Sequence, residues 1–430
     1  MGTSRVAVVG GGLAGLAAAL ELKEAGLAVE LFERARLLGG RATSFTVGGV
    51  EVDNGQHVFL GCCTEFVDFA RCLGLADRLH LQDRFDVRVF AKGRPPSRLR
   101  AAKLPAPWHL AAGFLGYREL GWLDRLRVAS TLLRTARRGQ EDAPLGDWLR
   151  RERQSEAALV AFWVPFFVPA LNAPLDEVSV AEASFVITTA FMAGADAARF
   201  GFLTVPLVRL AEAAAARLDE IHTRQAVTGL ELSSSGDVTG LWTADRRFWA
   251  FDGVLLAVPP DRLTRLLGTP AQYGLRHLQG FTSRPIVDVH LWHDGPRLGF
   301  DFAALLDSPV QWVFEKAPGY LCCSLSNASR LVGEPEGELV QLGWAEVSAR
   351  LPTLATAQLQ RGAATQNPEA TYAAAPGVPR PGPETSAPNL TIAGSWTDTG
   401  WPDTMESAVR SGRAAARRLT AGLMEVAHVA

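Results

Sequence analysis

The run Val6-Ala7-Val8-Val9 leads directly into Gly10-x-Gly12-x-x-Gly15 and then an Ala/Leu-rich stretch, and few folds accommodate that order. Four consecutive apolar residues read as a buried parallel strand and the stretch after Gly15 as a helix, the context a dinucleotide-binding loop requires. The first glycine makes the tight turn, the second admits a pyrophosphate against the backbone, and the third lets helix pack on strand. The helix N-terminus adds free N–H groups and the positive end of its dipole. A second strand, Val29 to Phe32, ends in Glu33, whose carboxylate can hold a ribose 2′-hydroxyl and would repel a 2′-phosphate.

Leu38-Gly39-Gly40-Arg41-Ala42 follows that strand. Two glycines bring backbone against a phosphate, and the planar fork of Arg41 can grip it. This arrangement resembles the FAD-binding flavoproteins of the amine oxidase and phytoene desaturase superfamily. The likeness returns at Asp252-Gly253-Val254-Leu255-Leu256-Ala257-Val258-Pro259 and from Leu390 to Ala416. It implies an α/β fold: a Rossmann-like FAD-binding domain interleaved with a substrate domain of mixed sheet and helices.

A chain of 430 residues, 48% of them hydrophobic, should hold two or three domain-sized units with large cores. A net charge of −2 sets up no global field toward nucleic acid. The five cysteines (Cys62, Cys63, Cys72, Cys322, Cys323) are odd in number, and their adjacent pairs suit neither a bridge within the pair nor tetrahedral metal binding. They read as reduced thiols of a cytoplasmic protein, and no metal is expected. Arg5 before an apolar run could pass for a signal peptide, but cleavage there would remove the glycine loop.

Cofactor-type segments at 1–70, 201–265 and 385–430 imply that 71–200, read as helical, and 266–384, read as sheet, form a second lobe facing substrate and membrane. Trp122, Leu126, Ala129, Leu133 and Ala136 recur at helical spacing, an amphipathic helix over 122–138. Ile286 to Trp292 alternates as a strand, with Gln311 to Phe314 and Leu321 to Leu325 as neighbours. Val287, Val289 and Leu291 then share one face; Ile286, Asp288, His290 and Trp292 share the other, suited to lining a cavity. Pro368 to Pro388 reads as a loop.

Between Lys92 and Arg138 lie eleven Lys/Arg against Glu119 and Asp124, with Trp108, Phe114, Tyr117 and Trp122 interleaved. That composition suits an anionic membrane surface, the alternative being a solvated helical face. Ala157 to Leu175 is aromatic-rich but broken by Pro165, Pro169 and Pro174, so it does not span a membrane. It reads either as a core helix pair or as an apolar tunnel wall or membrane contact.

Asp53-Asn54-Gly55-Gln56-His57-Val58-Phe59-Leu60-Gly61-Cys62 before Thr64-Glu65, Trp163-x-Pro165 through Leu171-Asn172-x-Pro174, and Gly394-x-Trp396 through Trp401-Pro402 together resemble the squalene-associated branch, the hydroxysqualene dehydroxylases of hopanoid biosynthesis. The implied FAD contacts are Gly10, Gly12, Leu13, Ala14, Gly15, Glu33, Arg34, Gly39, Gly40, Arg41, Gly55, Gln56, His57, Val227, Gly394, Ser395, Trp401, Thr404 and Met405. Two positions depart from the superfamily pattern: Ser395 replaces a ribityl-contacting aspartate and Ser407 a glycine.

The implied reaction is reductive removal of an allylic hydroxyl, giving squalene, water and oxidised flavin. His57 is the first candidate proton donor, with Asp288 and His290 behind it. An apolar isoprenoid substrate implies a peripheral position on the inner membrane face and functional coupling to squalene-pathway enzymes. Neither a Ser/His/Asp nucleophile elbow nor a P-loop is present. The alternative on the same fold is an oxidative polyene desaturase or an amine oxidase.

Overall fold

The computed structural model describes residues 3–139, 141–375 and 377–429. Val6 to Val9 are apolar throughout because both faces of their strand are covered. Arg5–Val9 is the centre of a five-stranded parallel sheet, flanked by Ala28–Glu33 and Glu220–Thr223 on one side and by Gly253–Leu256 and Leu390–Ile392 on the other. Val6, Val8 and Leu255 pack against the helices Leu13–Glu24 and Met405–Val429 through Leu16, Val409 and Leu419. Ala7, Val9, Val254 and Leu256 pack on the opposite face against Leu241 and Phe251, beside a three-stranded antiparallel sheet. Because the strands are parallel, the turns after them converge on one edge: Gly10, Glu33, Ala257 to Pro259, and Ala393 to Ser395. In open parallel sheets that edge is where ligands bind.

A second, seven-stranded sheet runs in the order Leu359–Ala374, Phe281–His293, Tyr320–Ser326, Trp312–Ala317, Phe302–Leu305, Asp86–Phe90 and Ser97–Arg100. Val287, Val289 and Leu291 are fully buried against the helix Glu336–Arg350, which turns Asp288 and its face-mates the other way.

Two expectations need correction. The stretch 71–200 is not all helix: it supplies the strands Leu79–Leu81, Asp86–Phe90 and Ser97–Arg100. Val87 and Val89 alternate inward there, while Asp86 pairs across the hairpin with Arg98 and Arg100, and these charges mask the period. The loop expected from Pro368 is strand as far as Ala374, since the register of this strand shifts opposite Arg284 and Ile286 and so accommodates a proline without a ladder bond. The expected amphipathic helix forms at Trp122–Thr135; it buries Val128, Thr131 and Thr135 and turns its apolar stripe outward. Trp122 is 68% and Leu126 57% exposed.

The proline-broken stretch lies inside the protein. Helix Val164–Leu171 follows a π-helical turn, Leu159–Trp163, and Phe162, Trp163, Phe166 and Phe167 are buried in one aromatic core. Pro169 cannot donate to the Pro165 carbonyl one turn earlier, and the Trp312 indole N–H takes that acceptor at 3.0 Å.

Candidate active site

One cavity of about 1850 Å³ opens along the carboxyl edge of the parallel sheet and continues to the second sheet. A pocket for one drug-sized ligand occupies roughly 300–1,000 Å³, so this space suits a dinucleotide and a second large molecule. Its far end is apolar, lined by Phe166, Phe185, Phe191, Phe200, Trp312 and Phe314.

The near end is backbone. A side chain at Gly15 would lie 1.8 Å from the Gly10 carbonyl oxygen, so only glycine lets helix Leu13–Glu24 close on its strand. At Gly12 a side chain would meet nothing nearer than Gly40 Cα at 4.0 Å; it would project into the cavity, the space a pyrophosphate needs. No side chain caps that helix and no acid stands in its first turn, so its N–H groups are free for an anion. Gly39 N–H donates to Gly11 O at 2.8 Å, clasping the two glycine loops together. Glu33 accepts the N–H of Gly11 and of Ala35, each at 2.7 Å and each on a different oxygen, which leaves lone pairs for a ribose. Arg34 and Val227 border the same end; Leu13, Ala14, Gly394, Trp401, Thr404 and Met405 also line the cavity, whereas Gly15 stands behind it. These residues fit FAD.

Arg41 does not stand free to grip a phosphate. Its Nη1 donates to Asp403 Oδ2 at 3.0 Å and to Ala370 O at 2.7 Å, and its Nη2 to Asp403 Oδ1 at 3.0 Å and to Ser395 Oγ at 2.6 Å. The guanidinium is thus a clasp between the second glycine loop and the C-terminal segment. Ser395 keeps its own O–H to donate. Ser407, fully buried, donates to the Ser395 carbonyl at 2.8 Å, so its hydroxyl supports the loop from beneath.

The polar centre lies where the strand Phe281–His293 meets the turn after Asp53. Gly55 adopts a φ of +113°, and a side chain there would sit 3.0 Å from Asp288 Oδ2 and 3.9 Å from His57 Nε2, so carboxyl and imidazole flank one point of the chain. Both line the cavity, as does Gln56, whose N–H reaches Asp288 Oδ1 at 3.3 Å. Burial acts on them in opposite directions, since it disfavours the charged form of each. It raises Asp288 to about 6, against weaker opposing contributions from Ser324, the Gln56 N–H and Lys316. It lowers His57 to about 4, helped by Arg41 and Lys316 and opposed by Asp53. At neutral pH His57 is an uncharged imidazole, while Asp288 still carries a proton part of the time. His290 is displaced from the expected site: it does not line the cavity, and its Nδ1 pairs with Tyr320 Oη at 2.9 Å behind Asp288.

Sequence reading missed Lys316, 3.5 Å from Asp53, and Arg380, which holds three carbonyls of the C-terminal loop. Neither stands in a motif; only the fold brings Arg380 to the cavity wall and the charge of Lys316 within reach of His57 and Asp288.

Residues 13–420 match the family described as flavin containing amine oxidoreductase. The chain is 30% identical to the hydroxysqualene dehydroxylase of Rhodopseudomonas palustris, covering 96% of this chain and 97% of that one. It is 25% identical to the 15-cis-phytoene desaturase of Synechococcus elongatus, over 97% of this chain and 96% of that one. The solved structure of putrescine oxidase bound to putrescine superposes with a TM-score of 0.76 at 16% identity, over 97% of this chain and 99% of that one.

Proposed function

Because the chain belongs to the flavin-containing amine oxidoreductase family, and is an FAD-dependent oxidoreductase, we propose that it reductively dehydroxylates an allylic isoprenoid alcohol, hydroxysqualene, to squalene. The observation that carries this reading is Asp288, an acid held partly protonated on the wall of a cavity whose remaining surface is largely apolar. Likeness to a hydroxysqualene dehydroxylase over 96% of the chain supports it, and a place in hopanoid biosynthesis is part of the same proposal.

The overall change is R–OH plus a proton plus a hydride, giving R–H and water. Bound FAD, once reduced, supplies the hydride. The protein's part is to hold the alcohol carbon in a dry site and to protonate the departing oxygen. Asp288 is the donor its environment favours, since a useful general acid has a pKa near working pH. His57, neutral beside it, orients the hydroxyl by hydrogen bonding. The aromatic end excludes water, which would otherwise trap an allylic cation.

A membrane-bound substrate also gives the outward-facing helices a role. Leu104, Trp108, Leu115, Trp122, Leu123, Leu126 and Leu133 are 47–68% exposed, and Arg118 and Arg137 are exposed among them. Apolar side chains among cations suit an interfacial contact with anionic lipid. Among the described residues no helix is long and apolar enough to cross a membrane.

The test is anaerobic: protein reduced to its two-electron form is mixed with hydroxysqualene, and flavin reoxidation and squalene are followed together. Equal yields of the two are expected. If oxidised protein instead becomes reduced by a polyene while no squalene forms, the reaction runs as in an oxidative desaturase.

A further inference from the structure

Two guanidinium groups hold the loop between Gly394 and Asp403, and they are not equivalent. Arg41 has a carboxylate, Asp403, in bidentate contact. Arg380 has none: among the described residues no acidic oxygen lies within ion-pair distance of it. Its Nε donates to Trp396 O and its Nη2 to Ser395 O, each at 3.1 Å, and its Nη1 donates to Trp401 O. The carboxylates whose fields reach it are Asp403, Glu182 and Asp398, and Asp403 is already engaged by Arg41. Burial accordingly pushes the Arg380 pKa down from its usual value, the mark of a cation poorly compensated by its surroundings. Three carbonyl dipoles fix its position without neutralising it, and both Nη atoms keep an uncommitted N–H.

Arg380 lines the main cavity. The ribose acid Glu33 touches Gly11, the Gly11 loop clasps Gly39, and Arg41 beyond Gly40 reaches Ser395, whose carbonyl Arg380 holds. Arg380 therefore stands at the other end of this series of contacts from the ribose acid, beside the C-terminal loop that would hold the redox-active half of the dinucleotide. We infer that Arg380 is an electrostatic tuning residue, whose uncompensated positive charge favours the reduced, anionic state of the cofactor over the oxidised, neutral one. Taking up two electrons and one proton adds a negative charge, and a fixed cation in a partly dehydrated wall lowers the free energy of the charged product. Holding the cofactor reduced until an acceptor arrives suits an enzyme that delivers hydride. The inference rests on the cofactor alone, so the identity of the substrate can fall without it.

The experiment measures the two-electron midpoint potential of the full-length holoprotein by anaerobic dye equilibration in wild type, Arg380→Gln and Arg380→Lys. Glutamine can still donate to the carbonyls but is neutral; lysine keeps the charge. The expected result is a reduced-to-oxidised ratio at fixed potential at least tenfold lower for Arg380→Gln, equivalent to about 30 mV for a two-electron couple, with Arg380→Lys close to wild type. Equal potentials in all three, equal shifts in both variants, or loss of FAD from both would make Arg380 only a clasp for the loop and overturn the inference.

Discussion

The two ends of the cavity are built on different principles. At the cofactor end the working groups are backbone: the turn of Gly10, the space over Gly12, the close approach at Gly15 and the uncapped start of helix Leu13–Glu24. At the reacting end they are side chains from remote parts of the chain, Asp288 from one strand and Gln56 and His57 from a turn 232 positions earlier for the Gln56 contact. A backbone site depends on the space at single positions. A side-chain site depends on the dielectric that surrounding elements impose, so its chemistry emerges only once they assemble.

That contrast makes the cofactor end the more brittle to small additions of volume. Gly15→Val places carbon where the Gly10 carbonyl already stands. Complete loss of FAD is expected, read as a colourless protein or as failure to accumulate soluble chain. Bound FAD in that variant would show that the loop can open without losing its function.

At the reacting end, a smaller effect of opposite sign is expected from Asp288→Asn. The folded pKa of Asp288, about 6, lies above the usual carboxylate value, so its ionisation works against folding. That cost is absent below the unfolded pKa of about 4, grows as pH rises through 6, and is full above it. Two units correspond to roughly 3 kcal/mol. Denaturant unfolding should therefore show Asp288→Asn more stable than wild type at pH 8 and equal to it at pH 4. Equal stability at both pH values would mean that the carboxyl is solvated.

The smallest effect lies outside the cavity. Removing two surface-near cations, Arg118 and Arg137, should weaken binding to vesicles of anionic lipid by about 2 kcal/mol, roughly thirtyfold in partitioning, at about 1 kcal/mol each. Sedimentation with anionic and with neutral vesicles checks this. Unchanged binding would assign the attachment to the exposed tryptophans and leucines instead.

The cofactor end was legible in the sequence because each glycine acts on its immediate neighbours, and strand, turn and helix are contiguous. Arg41 was located, but its carboxylate partner was not. Its spacing suits a phosphate, but nothing in the sequence reveals that Asp403 folds back to occupy it. The helix Trp122–Thr135 teaches the same lesson: a 3.6-residue stripe establishes two faces but not which one the rest of the chain covers, and here Val128, Thr131 and Thr135 are covered instead. The candidates Asp288 and His57 were both visible as residue types. Their order as proton donors was not, because burial reverses it: the imidazole, nearer neutrality in water, becomes the weaker acid-form reservoir, and the carboxyl the stronger.

The central claim, that the reacting end works through a buried carboxyl, is tested most directly by the pH dependence of single-turnover flavin reoxidation with hydroxysqualene. Wild type and His57→Gln should both decline about tenfold per pH unit above about 6, the value to which burial raises Asp288. Asp288→Asn should keep its FAD, lose that decline, and react some 10²- to 10⁴-fold more slowly below pH 6, the usual contribution of a positioned general acid. A full rate and an unchanged profile in Asp288→Asn, with the loss appearing in His57→Gln instead, would contradict the claim.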